Sequence, residues 1–149
     1  MQAYIIDGYG RQNGGRIAEM PEPALRGDDV LVQVKAASIN VLDAKIRQGE
    51  FKMILPYPLP LILGNDLAGV VVRVGAEVQR FRPGDEVYAR PDARRMGTFA
   101  EFIALSERDL ALKPASLSME EAASLPLVSL TAWQVLVETA KLERGQKVL

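Results

Sequence analysis

The stretch LILGNDLAGVVVRVG, residues 61–75, consists of two apolar runs parted by Gly64-Asn65-Asp66. A run of valines bounded by turn residues reads as a buried strand, and glycine and asparagine before it tolerate the backbone angles of a turn. Any small polar turn would meet that need. The adjacent Asn65 and Asp66, pressed between apolar segments, ask for a further reason.

Working outward, DVLVQVKAAS (29–38) alternates, with Val30, Val32, Val34 and Ala36 on one face and Gln33 and Lys35 pointing the other way. That is the period of a half-buried strand. AYIID (3–7), RIAEM (16–20), RPGDEVYAR (82–90) and GTFAEFIAL (97–105) supply further short strands between turn signals. Such spacing predicts a compact, partly open β-barrel. NVLDAKIRQG (40–49) changes period to that of a short helix, with Asn40 as N-cap, Asp43 in the first turn and Gly49 as the stop. The proline-rich 55–64 reads as an extended, stiff loop. SMEE (118–121) matches a capping box before a short helix that Pro126 interrupts. VSLTAWQVLVETAKLERG (128–145) reads as a longer amphipathic helix, and QKVL as the opening of a strand. A chain that stops there looks cut.

At 149 residues with 18 basic and 19 acidic side chains, the composition is that of an ordinary soluble globular domain. There is no basic excess to suggest nucleic acid and no apolar run to suggest a membrane span. The N-terminus lacks the basic flank and apolar core of a signal peptide, so a cytoplasmic protein is expected. The sequence has neither cysteine nor histidine. Thiol nucleophiles, Cys/His zinc sites and the usual neutral-pH general base are therefore excluded.

The ordered blocks ASINVLDAKIRQG, LILGNDLAGVVVRVG, FRPGDEVYA, GTFAEF and LPLVSLTAWQVL resemble the N-terminal catalytic domain of the medium-chain dehydrogenase/reductase superfamily, most closely its zinc-independent quinone oxidoreductase branch. The resemblance implies a mainly β fold with short helices, a GroES-like barrel over 1–127. A connecting helix and the first residues of a truncated Rossmann domain would occupy 128–149. Zinc members of the superfamily carry a cysteine near Ser38–Asn40 and Gly-His-Glu at Gly64-Asn65-Asp66, so Asn65 stands where a ligand histidine would be. An amide is a poor zinc ligand. The loop Arg90–Gly97 is too short, and free of cysteine, for the structural zinc lobe.

What the resemblance implies for function is hydride transfer from NADPH or NADH to a quinone or an activated alkene, without zinc. The complete protein is expected to be a homodimer, and this chain alone inactive. The alternative is a non-catalytic GroES-like binding domain. Asn40 matches the family's asparagine near nicotinamide and substrate, and as an N-cap it has a structural reading as well. Thr131 matches a threonine that approaches the nicotinamide; its other reading is a hydroxyl bonded to a preceding carbonyl. Tyr57 and Asn65 are candidates for the substrate pocket, with a plain loop aromatic and a plain turn as their alternatives. Asp66 is read as structural, bonding backbone amides or a cation. Asp43 and Arg47, at i and i+4, are expected to pair. Trp133 is expected in core or interface packing, and Tyr88 and Phe99 in the barrel core.

Overall fold

The computed structural model describes residues 1–148. Among the described residues eight strands form two open sheets, neither of which closes on itself. The first has the order β2-β1-β4, with β1 Gln2–Ile6, β2 Arg16–Glu19 and β4 Leu61–Ile62. The second has the order β7-β3-β5-β6-β8, with β3 Asp29–Ser38, β5 Asp66–Val74, β6 Glu86–Ala89, β7 Phe102–Ser106 and β8 Leu110–Leu112. The mainly β architecture with short helices is as expected; β8 carries no sequence signal strong enough to have announced it.

The apolar residues of the alternating strands form the main core, where Val30, Val32, Leu67, Val71, Val87 and Leu105 are fully buried. Two register shifts, at Leu31/Val32 and Val34/Ala36, interrupt the pairing of β3 with β5, yet Val30, Val32 and Val34 all face the main core. Asp29 to Val32 are buried in succession because both faces of this end of β3 are covered, where a half-buried strand was expected. GTFAEFIAL is also not one strand. Its first half crosses between the sheets: Tyr4 N–H donates to Phe99 O at 2.8 Å, and Val34 N–H donates to Glu101 O at 2.9 Å. This segment is what partly closes the barrel.

Helix α1, Val41–Gln48, starts at Asn40, whose backbone N–H donates to Asp43 Oδ2 while its backbone carbonyl accepts the Asp43 N–H, and ends at Gly49, whose φ of 85° is the left-handed stop glycine permits. The Ser118–Glu121 capping box opens α2, Met119–Ala123, as read from the sequence. Pro126 does not interrupt a helix; it is the first residue of α3, Pro126–Trp133, where its missing N–H costs nothing. The expected long amphipathic helix is shorter and bare. It passes into a π-helical turn at Gln134–Thr139, and only Pro126 is buried. With β-branched Val135 and Val137 and no face packed on the sheets, nothing holds the regular ladder to Gly145. Residues 146–148 form no strand, and Leu149 lies outside the described residues. Among the described residues no helix is long and apolar enough to cross a membrane.

Candidate functional site

The turn at 64–66 is where the fold gathers Asp43, Asn65, Asp66 and Thr98, its buried polar residues other than Asp29. Gly64 has a φ of 111°, and a Cβ there would run into Thr98 Oγ1 and the Phe99 ring. Glycine is required on both counts. The Gly64 carbonyl in turn accepts from Gly97 N–H at 3.0 Å and from Thr98 N–H at 3.3 Å, stitching the turn to the crossing segment. Asp66 is not part of the turn but the first residue of β5, directly opposite Ser38 at the end of β3. That register carries Ser38, Asn40 and Asp66 into one cluster.

Two asparagine–aspartate contacts cross between 40–43 and 65–66. Asn40 Nδ2 donates to Asp66 Oδ2 at 2.8 Å, and Asn65 Nδ2 donates to Asp43 Oδ1 at 2.7 Å. Asp43 Oδ2 also accepts the Asn40 backbone N–H at 2.7 Å. Asp66 collects two more donors, Ser38 Oγ–H at 3.0 Å on Oδ2 and Leu127 N–H at 2.9 Å on Oδ1. One carboxylate thus ties the end of β3, the start of α1 and the start of α3 together. Burial pushes the Asp66 carboxyl above its ordinary value, against the lowering pull of its hydrogen bonds from Asn40, Ser38 and Leu127.

The Asp43–Arg47 pairing and the core placement of Tyr88 and Phe99 are corrected, and the other named side chains take the following places. Asp43 does not pair with Arg47; both its oxygens are taken by Asn40 and Asn65, and it is 3% exposed. Asn65 is 1% exposed with its nitrogen on Asp43, so it forms the inner wall of the cluster. Tyr57 stands outside the cluster. Its hydroxyl donates to Ala93 O at 2.8 Å, and its own carbonyl accepts from Tyr9 Oη–H at 2.9 Å, which moors the proline-rich loop. Thr131 Oγ–H donates to Leu127 O at 2.8 Å, the preceding-carbonyl bond, while the residue itself is exposed on α3. Trp133 is 58% exposed, which removes the core reading and leaves the interface one. Tyr88 and Phe99 are half-buried, packed at the edges of two smaller apolar clusters and not in the main core.

Beside α1, an open cavity of about 420 Å³ is lined by Tyr4, Ile39, Asp43, Arg47, Leu63 and Phe99. It abuts the polar cluster through Asp43. Among the described residues no three His, Cys, Asp or Glu side chains gather as a metal site would require.

The family assignment rests on this fold and on direct comparison. The alcohol dehydrogenase GroES-like domain matches residues 26–115. The chain belongs to that family. As a GroES-like domain of the medium-chain dehydrogenase/reductase superfamily, it is 39% identical over 156 residues to the chloroplastic NADPH-dependent alkenal/one oxidoreductase of Arabidopsis thaliana, spanning 100% of this chain and 40% of that protein. The structure of an alcohol dehydrogenase superfamily protein from Novosphingobium aromaticivorans superposes with a TM-score of 0.88 at 42% identity, over 98% of this chain and 44% of the other. The Escherichia coli quinone oxidoreductase complexed with NADPH superposes with a TM-score of 0.82 at 26% identity, over 93% of this chain and 41% of the other. The GroES-like chain therefore spans less than half the length of these relatives.

Sequence reasoning named Asn40 and Asn65 for the site and read Asp66 as structural, but missed that Ser38, Asn40 and Leu127 converge on Asp66. The signal for Ser38 was present: if 29–38 and 66–74 are paired antiparallel strands, their ends meet at Ser38 and Asp66.

Proposed function

We propose that this chain is the catalytic-domain portion of an NAD(P)H-dependent oxidoreductase that reduces a quinone or an enone without a metal ion. The observation that carries the reading is the single carboxylate of Asp66, which brackets Asn40 on one side and the helix bearing Thr131 on the other. The two family positions associated with the nicotinamide are thereby held by one buried anchor. The nicotinamide would supply the hydride. This chain's own residues would bind and orient: Asn40 and Thr131 at the cofactor, and Tyr4, Ile39, Leu63 and Phe99 as the apolar wall for the acceptor.

The donor set fits such a group. Thr131 has given its proton to Leu127 O and retains lone pairs that can accept from a carboxamide or hydroxyl. A conjugated carbonyl delocalises incoming negative charge, so a metal is not required, and a chain with no cysteine or histidine has no thiolate or imidazole to offer zinc. The partner is a small-molecule quinone or enone, and the complete protein is a homodimer.

The test is NADPH oxidation by the complete polypeptide, with a simple quinone and a simple enone, before and after exhaustive dialysis against a chelator. Retained turnover is the expected result. Loss on chelation overturns the metal-free reading, and no turnover with either acceptor favours a binding domain. The 149-residue chain alone is expected to show no turnover.

A further inference from the structure

Across the turn the aspartates decide which way the asparagine amides point. An ionised carboxylate only accepts hydrogen bonds, whereas an amide has donors on nitrogen and acceptors on oxygen. Both hydrogens of Asn40 Nδ2 are spent inside the protein, one on Asp66 Oδ2 at 2.8 Å and the other, at a long 3.4 Å, on Ser38 Oγ. The reversed amide would set oxygen against oxygen. Asp66 has no freedom to relieve that conflict, because Leu127 N–H and Ser38 Oγ–H hold both its oxygens and it is fully buried. Asn40, half-buried at the N-cap, keeps only acceptor capacity on its oxygen. Thr131 has also spent its proton within the protein.

We propose that Asp66 is a positioning residue that sets the polarity of the cofactor-facing rim. It locks the Asn40 amide with its nitrogen inward and, through Leu127, seats the helix that carries Thr131. Both side chains then offer acceptors alone, and the group they receive is a donor: the carboxamide NH2 or a ribose hydroxyl of a nicotinamide nucleotide. Negative charge developing on the reduced acceptor is not met by Asn40. This rests on the proposed cofactor role of Asn40 and Thr131.

An exchange of the two side chains tests it. Asn40→Asp alone puts two carboxylates face to face, which lowers Tm by several degrees and raises the KM for NADPH of the complete enzyme about tenfold, the loss of one hydrogen bond. Combining it with Asp66→Asn restores one donor–acceptor pair, keeps an oxygen for Leu127 N–H and leaves only acceptors at position 40. The expected result is recovery of Tm and of KM to within about threefold. If Tm recovers but KM does not, Asn40 donates to the ligand and the proposal falls. If neither recovers, Asp66 does not act through Asn40, and it falls as well.

Should the complete protein prove not to be a reductase, this chain still decides the orientation. The Asn40 side-chain amide protons should exchange slowly with solvent and lose that protection in Asp66→Ala. Fast exchange in the unsubstituted chain would overturn the assignment.

Discussion

Asp29 and Asp66 mark opposite ends of β3, one as its first residue and the other paired with its last, and both are fully buried. They are held in opposite ways. Asp29 receives the fork of Arg95 at 2.7 and 2.8 Å, and that hydrogen-bonded guanidinium holds its carboxyl below the ordinary value despite burial. Asp66 receives only neutral donors, so burial prevails and its carboxyl is pushed up. A buried carboxylate with a cation pins two segments of chain. One without a cation carries a standing desolvation cost, and what it provides is orientation of the groups around it.

The largest expected effect falls on the compensated end. Arg95→Ala strands a charge at 0% exposure and should cost about 3–5 kcal/mol in urea unfolding, whereas Asp66→Asn should cost far less. Equal losses would erase the distinction between the two sites. Next comes the turn that brings Asp66 into place. Gly64→Ala forces a methyl toward Thr98 and Phe99 at positive φ and should cost at least about 1–3 kcal/mol, read by thermal melting.

The pH dependence should then separate the two carboxylates by sign. The Asp29 contribution is present above its unfolded value, near 3.8, and is lost as pH falls through that value toward the lowered folded one. Asp66, with its folded value raised, favours the fold at acid pH and loses that contribution as pH rises through the raised value. Asp29→Asn should therefore become more costly from pH 3 to pH 7, and Asp66→Asn less costly; parallel curves from chemical denaturation would contradict the assignment. The smallest stability effect belongs to Thr131→Val. The residue is exposed, so stability should stay within about 0.5 kcal/mol while the complete enzyme binds NADPH more weakly. A larger stability loss would mean that the hydroxyl's bond to Leu127 matters chiefly to the helix.

Local chemistry was legible in the sequence. The bounds of β3, the Ser118–Glu121 capping box and the Gly49 stop all rest on residues near one another in the chain, and all stand in the structure. Long-range pairing was not. Arg95 reaches Asp29 across 66 positions, with no periodicity to announce it. Asp43 found Asn65 where local spacing offered Arg47, because the turn at Gly64 delivers a buried amide that a partly exposed guanidinium does not displace. The helix after Pro126 was overextended because apolar spacing was read as a packed face, and no such face is covered. Of the site residues, Asn40 was placed in the polar cluster by its capping position, while Tyr57 was drawn away by a backbone carbonyl no sequence pattern reveals.

Trp133 is the only tryptophan in the sequence, and it sits on α3, more than half exposed, away from the main core. Its fluorescence therefore watches the helix that Asp66 anchors through Leu127, not the sheets. Emission from the folded chain should already be shifted to the red. An optical melting curve followed at that wavelength would track release of one helix, while circular dichroism followed the strands. The lag between the two curves would measure how firmly a single carboxylate joins them.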